Sequence, residues 1–414
     1  MKVCFISFEY PPRVLGGLGV YANQLVKGLR DKGIDVLTIT WGDRNEYRDH
    51  VFRIFTPDVL YWRRFFFINK AVSLFLSLNR SRKFDLVHLN GAYPIRRNFK
   101  IPTVCTFHST NFPQFISGLH AFSSIKTLED QLSLVFRNPV GILADIFSAR
   151  LSDKIICPSL SIARELQSYC FVRDDKIQVI PNEVDLKTLD AVKVLDARLL
   201  EKYGIEKERF VLFVGRLTYL KGVDYLIEAF RLVHEECNDI KLVIVGNGPS
   251  MPYLRSFARD IDGVLFVGRV DSPNLKRLLY ESCFAVVVPS IHDTLPTVVL
   301  EAMMNKKPVI ASNVGGNPIM VRSGKSGFLV KPKDSESISH YIKILYQNPE
   351  LRRKMGEYGR KIVEKRFSCG RMVTETLKVY ETMLSQEKPC HSDFKEPAEP
   401  RITCDNLTFD ACGR

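Results

Sequence analysis

Short runs of Val, Ile and Leu recur along the chain, and segments of helix length with mixed polarity separate them. A run that is apolar throughout, rather than alternating, is what a strand buried on both faces requires. Its steady alternation with helical segments predicts an α/β chain built on parallel sheets covered by helices. In the first half the pattern predicts strands at Val3–Phe8, Asp35–Thr40, Leu86–Leu89, Thr103–Phe107, Lys154–Pro158 and Gln178–Ile180, with a helix over Val20–Lys32. Residues 186–208 are charged and carry no strand pattern, after which RFVLFVGRL opens a second series continued by KLVIVGNG, VLFVGRV, AVVVPS, KPVIAS and GFLV. The domain boundary is placed there, giving a first domain over 1–190 and a second over 191–365. Leu351–Leu384 is helical in pattern, and its last part, about 366–384, can cross back onto the first domain. The polar stretch 386–414 is expected to be a disordered tail. Two doubly wound halves bring the carboxyl ends of both strand sets to one cleft, where such sheets bind ligands.

Composition narrows the partners. At 414 residues the chain exceeds what one core serves, and its net charge of +13 calls for an anionic partner: phosphate, nucleic acid or an acidic membrane surface. The basic residues are dispersed and form no recognised nucleic-acid module, so nucleic acid is set aside. The apolar run of MKVCFISFEYPP is too short for a signal peptide, and no uncharged stretch approaches the roughly 20 residues that span a bilayer. A cytoplasmic protein is expected, at most peripheral on the inner face of a membrane. Ten cysteines form no CxxC pair; Cys4, Cys105, Cys157 and Cys283 sit in apolar runs as small buried hydrophobes, which favours a reducing compartment. Cys390, Cys404 and Cys412 fall in the tail, where their irregular spacing favours incidental thiols over a disulfide or a metal site. The segment VLYWRRFFFINKAVSLFLSLNRSRK combines Trp62, Phe65, Phe66 and Phe67 with Arg63, Arg64, Lys70, Arg80, Arg82 and Lys83. It fits an interfacial helix on anionic lipid and a core helix with a charged rim alike, because its apolar positions mark no single clean face.

Four features converge on a nucleoside diphosphate, each weak alone. In VGRLTYLKG, Arg216 and Lys221 flank a loop after a strand, so both cations can reach a diphosphate; two solvated charges are the bland alternative. In VGNGP, Gly246 and Gly248 let the backbone approach a ligand, or merely turn. In HDTLPTVVLEAM, Asp293 stands in a loop and Glu301, eight positions on, lies about a turn into a helix beginning near Leu295, although an acid before a helix is also an ordinary cap. In FEYPPRVLGGLGVYANQLVKGL, Gly16, Gly17 and Gly19 lie between a strand and its helix, where glycine amides suit a phosphate oxygen. GGLG does not match the GxGxxG spacing, which disfavours NAD.

The order of these motifs, with TFH, IPNxVD and KPVIASxVGG, resembles the retaining GT-B glycosyltransferases of the glycosyl transferases group 1 family over about residues 1–384. The resemblance implies that Arg216 and Lys221 hold the diphosphate, Glu301 a ribose hydroxyl and Asp293 the donor sugar. It implies that His108 lies near the transferred sugar and that Gly17 approaches the phosphate; Gly16, Gly246, Thr297 and Val298 complete the donor side. His88, which also ends a strand, is only weakly indicated. The implied reaction moves a hexose from a nucleotide sugar to a saccharide or lipid-linked acceptor with retention, by front-face attack in which the leaving phosphate accepts the acceptor's proton. Arg216 and Lys221 can stabilise the leaving diphosphate without a metal, so neither a metal nor another cofactor is expected.

This chain departs from the family in carrying Asp293 for the usual Glu, Leu295 and Pro296 for Phe-Gly, Glu183 for the Gly of IPNGVD, and Ile319 for the Glu of GGxPE. Those changes keep alternatives open: a non-catalytic sugar-nucleotide-binding module, or an epimerase-like enzyme on the same fold. A phosphorylase is disfavoured, since no signature of a lysine-bound cofactor is recognisable.

Overall fold

The computed structural model describes residues 1–14, 17–57, 63–95, 99–120, 131, 138–183, 198–201, 204–367 and 370–386. Gly16, Trp62, the boundary placed at 190/191 and the tail with Cys390, Cys404 and Cys412 lie outside the described residues.

Most of the apolar runs become buried strands, while Val264–Gly268 is half-buried throughout. The first sheet comprises β1 (Lys2–Ser7), β2 (Asp35–Gly42), β3 (Glu46–Arg48), β4 (Val51–Phe55), β5 (Leu86–Asn90), β6 (Thr103–Thr106), β7 (Lys154–Cys157) and β8 (Ile177–Val179). Its order is β3-β4-β2-β1-β5-β6-β7-β8, parallel throughout except for β3 against β4. The second comprises β9 (Phe210–Val214), β10 (Lys241–Val245), β11 (Val264–Gly268), β12 (Ala285–Val288), β13 (Val309–Ser312) and β14 (Gly327–Val330), all parallel, in the order β11-β10-β9-β12-β13-β14. Each sheet reverses its winding beside its first strand, between β1 and β5 and between β9 and β12, and a crevice opens at such a point outside the carboxyl ends.

Helices cover both faces of each sheet. Under the first sheet, Arg63–Arg82 buries Phe67, Ile68, Ala71, Val72, Phe75 and Leu78. These positions recur at helical spacing, so this helix does present one apolar stripe, and Phe65 and Phe66 are left outside it, exposed. On the opposite face, Gly17–Asp31 packs with the crossing helix Arg371–Gln386, whose Met372, Val373, Val379, Tyr380 and Met383 join the same core as Val3 and Phe5. Glu183 fastens this helix at its start: its buried carboxylate accepts hydrogen bonds from the amides of Gly370, at 2.8 Å, and Met372. The carboxylate thus serves as a cap supplied from 187 residues away, satisfying amides that have no partner within the helix.

Two local expectations need correction. The first helix opens at Gly17 rather than Val20, so Gly17 and Gly19 lie within its first turn instead of in a loop before it. The helix carrying Glu301 spans Thr297–Met304 rather than starting near Leu295, because Pro296, fixed in φ at −69°, is its N-cap.

Candidate functional site

The loops after β9 and β12 meet at the switch point of the second sheet. After β9, Tyr219–Lys221 makes a single tight turn closed by Gly222 at φ 60°. The loop after β12 runs beside it, the Ile291 amide donating to the Leu220 carbonyl at 2.8 Å. This pairing sets Lys221 Nζ 2.6 Å from Asp293 Oδ2, which also accepts from Ser290 Oγ at 2.9 Å, while the Thr294 amide donates to Oδ1 at 3.0 Å. Asp293 is therefore held on both oxygens, and its side chain is only 9% exposed against 29% for Lys221. An ammonium carries three donors, so the contact with Asp293 leaves Lys221 capacity for a further acceptor. Arg216, five residues earlier on the same loop, is exposed, and among the described residues its side chain has no partner. His292 stands beside Asp293 with a buried Nε2 that has no partner among the described residues. Burial holds its imidazole below the usual range, and Lys221 adds to this while Glu165 and Asp293 oppose it.

Glu301 lies on the following helix, near but separate from that pair. Tyr280 Oη donates to Glu301 Oε2 at 2.7 Å, and Lys276 Nζ lies 2.7 Å from the same oxygen and 2.8 Å from Oε1. Burial, and then the adjoining carboxylate, push the Tyr280 phenol well above its usual range, so it stays a donor. Lys276, Tyr280 and Glu301 line a cavity of about 1130 Å³, which Val14 and Val20 border from the first domain. Thr297 and Val298 are half-buried in the first turn of Glu301's helix. Gly246 follows β10 at φ 139°, and a Cβ there would meet the Gly215 carbonyl at 1.8 Å, so its lack of a side chain is needed to seat one loop on the other.

In the first domain, His108 follows β6 and its Nε2 bonds Asn90 Oδ1 at 2.7 Å, with the Tyr21 ring edge-on at 4.5 Å. Burial lowers its pKa to about 4, so it is neutral at pH 7. Gly17 is exposed, with nothing within 4 Å of where a Cβ would stand. His88 is enclosed, bonded through Nδ1 to Tyr380 Oη at 2.5 Å and through Nε2 to Thr106 Oγ1 at 2.8 Å, and burial lowers its pKa to about 3. It is a core residue rather than a site residue. Lys276, Tyr280, Ser290 and His292 escaped the sequence reading. Lys276 and Tyr280 did leave a signal, since four residues apart on one helix places them on one face. Among the described residues no group of three or more His, Cys, Asp or Glu side chains is arranged to hold a metal ion, and no helix is long and apolar enough to cross a membrane.

Comparison with known proteins bears on both domains. A family model described as Glycosyl transferases group 1 matches residues 197–362, and one described as Glycosyltransferase Family 4 matches residues 15–188. The chain is 29% identical over 407 residues to an uncharacterised glycosyltransferase of Methanocaldococcus jannaschii, covering 92% of this chain and 98% of the relative. Its fold is similar to sucrose-phosphate synthase from Thermosynechococcus elongatus, with a TM-score of 0.74 and 22% identity over 94% of this chain and 100% of that one. An Anabaena protein solved in complex with UDP-glucose matches with a TM-score of 0.67 and 18% identity, over 93% and 100% of the two chains. At such identities the solved structures speak for the fold alone: two Rossmann-like domains in the GT-B arrangement.

Proposed function

The chain belongs to the glycosyl transferases group 1 family, and from that premise we propose that it moves a hexose from a nucleoside-diphosphate sugar to a saccharide or lipid-linked acceptor, with retention of anomeric configuration. The observation that carries this reading is the Lys221–Asp293 contact of 2.6 Å at the switch point of the second sheet, with Arg216 on the same loop. It joins a cation suited to a diphosphate with a carboxylate suited to sugar hydroxyls. In the proposed complex Arg216 and Lys221 take the diphosphate, Asp293 the donor sugar and Glu301 a ribose hydroxyl. Gly246, Thr297 and Val298 supply close backbone on the donor side, and Gly17 approaches the phosphate from the first domain. His108, uncharged at pH 7, flanks the transferred sugar without repelling positive charge that develops at the anomeric carbon. Negative charge growing on the leaving group meets cations already in place, which is where preorganised electrostatics lowers a barrier. These two cations serve without a bound metal. The Anabaena neighbour's UDP-glucose supports a nucleotide-sugar donor by analogy of fold.

We place the reaction in the cytoplasm, a reading supported by the free thiols of Cys4, Cys105, Cys157, Cys170, Cys237 and Cys283. Contact with an anionic membrane draws support from exposed Phe65 and Phe66 beside Arg64 and Lys70. Replacing Arg63, Arg64, Arg80 and Arg82 by Gln then reduces sedimentation with anionic vesicles; equal binding to neutral and anionic vesicles removes the membrane from the proposal. The donor reading is tested by thermal shift with UDP-, GDP- and ADP-glucose. A ligand bound only by the folded state at a hundred times its Kd adds about 2.7 kcal/mol of stability, and no shift with any of the three overturns the reading.

A further inference from the structure

The first domain holds a carboxylate that the proposed donor chemistry leaves unused. Glu165 lies on the helix Leu160–Cys170, which follows β7 and is capped by Ser159, so its first turns rise at the carboxyl edge of the first sheet. One carboxylate oxygen accepts from Thr110 Oγ1, two residues beyond His108, and the other from Ser161 Oγ at 3.1 Å. Each oxygen keeps accepting capacity, since an ionised carboxylate offers about four lone-pair positions. The surrounding scaffold is fixed from behind. Buried Asp145 takes the Asn111 amide at 2.7 Å, Asn111 Nδ2 at 3.0 Å and Tyr169 Oη at 2.6 Å, locking the segment that carries Thr110 to the helix that carries Glu165. On the same segment Phe112 is 39% exposed, its ring stacked on Tyr169 with centroids 5.2 Å apart. From the second domain His292, beside the Lys221–Asp293 pair, lies close enough to feel the Glu165 charge, and its buried Nε2 has no partner among the described residues.

We propose that Glu165 is an acceptor-binding carboxylate, and that the acceptor it takes is a neutral polyhydroxylated molecule rather than a phosphorylated one. A carboxylate held on both oxygens, with an exposed aromatic ring two residues beyond the Thr110 that bonds it, matches vicinal hydroxyls and the apolar face of a sugar ring. The same charge, partly buried, repels a phosphate placed there. The inference rests on the donor reading above, because only a donor held at Lys221 and Asp293 puts the transferred sugar beside Glu165.

The test uses the full chain with UDP-, GDP- and ADP-glucose as donors, measuring first donor hydrolysis by water and then transfer to methyl α-glucoside, maltose and glucose 6-phosphate. Transfer to the neutral acceptors over glucose 6-phosphate is expected. Glu165→Gln, a near-isosteric change, is expected to raise the acceptor KM by about tenfold to a hundredfold, the range of a charge-assisted hydrogen bond. That rise falls on the acceptor KM rather than the donor KM. Glu165→Lys shifts preference towards glucose 6-phosphate, a change that a purely structural role does not produce. A parent enzyme that hydrolyses a donor yet prefers glucose 6-phosphate, or that transfers to neither neutral acceptor, overturns the inference alone, as does a Glu165→Gln variant with an unchanged acceptor KM. A parent that neither binds nor hydrolyses any of the three donors takes down the donor reading and this inference with it.

Discussion

Replacing Glu301 by Ala separates two effects that the structure predicts from one carboxylate. The first is on the fold. Tyr280 is fully buried and its hydroxyl donates to Glu301 at 2.7 Å, so the truncation strands a buried donor, at a cost of about 1–3 kcal/mol of stability. Lys276 adds little, because its side chain is 34% exposed and can turn to water. The second effect is on the donor. If Glu301 binds a ribose hydroxyl, losing that charged acceptor weakens nucleotide-sugar affinity by about 1.5–3 kcal/mol, or roughly 10- to 150-fold. The two come apart in a double-mutant cycle. Adding Tyr280→Phe to Glu301→Ala removes the stranded hydroxyl and recovers part of the stability but none of the affinity, whereas Glu301→Gln keeps an acceptor for Tyr280 and loses mainly affinity. Urea unfolding reads the first effect and calorimetric titration with the nucleotide sugar the second. Unchanged affinity in a folded Glu301→Ala variant would show that this carboxylate only props the helix Pro273–Ser282.

Three further outcomes are expected. Lys221→Ala lowers turnover at saturating donor by on the order of a hundredfold, because its contact strengthens as the leaving group gains charge, and EDTA leaves the parent active; a defect confined to the donor KM, or a parent silenced by EDTA and restored by Mg²⁺, contradicts this. Glu183→Ala costs about 1–2 kcal/mol through the lost cap on Arg371–Gln386, and Glu183→Gln, which keeps only one of the two accepting oxygens, loses part of it; a Glu183→Ala variant that melts with the parent argues against the cap. His88, held at about 3, refuses a proton that the unfolded chain binds below about 6.5, so stability falls as pH drops through that window by about 1.4 kcal/mol per unit, while Asp145, raised to about 6, acts in the opposite sense. Acidification from pH 7 to 5 therefore costs His88→Gln less stability than the parent, in which His108, held at about 4, acts in the same sense as His88, and equal losses in the two would count against the assignment.

The parallel strands were legible because burial on both faces leaves uninterrupted apolar runs, as in FVLFV and KLVIV. The edge strand β3 and its neighbour β4 were not. Glu46–Arg48 is short, polar and antiparallel, and Val51–Phe55 carries Arg53 in its middle, so neither differs from a charged loop on paper. The stripe of Arg63–Arg82 was obscured because Phe65 and Phe66, outside it, are as apolar as the residues within it. Partners supplied by distant helices were harder still. Lys276 and Tyr280 precede Glu301 by 25 and 21 positions, and nothing in an amphipathic helix marks which lysine will turn to which acid.

The departures from the family pattern become intelligible once contacts replace spacing. Glu183, standing where a glycine is usual, is engaged in holding the crossing helix and is thereby accounted for without a role in donor binding. Pro296 forfeits an amide but sits at an N-cap, where its fixed φ suits the turn and no ladder bond is broken. Asp293 is a methylene shorter than the usual Glu and still reaches Lys221, Ser290 and the Thr294 amide, because the loop that bears it is pressed from outside. A Cβ on Gly315, at φ 54°, would lie 1.6 Å from the Asp293 carbonyl, so the glycines of the KPVIASxVGG run are where the Asp293 loop rests. The same relation holds between Gly246 and Gly215. Sequence elements that look like independent ligand motifs are thus, in two cases, two sides of one backbone-on-backbone contact. Substituting Gly315 should therefore displace Asp293 and Lys221 together, though neither is its neighbour in the chain.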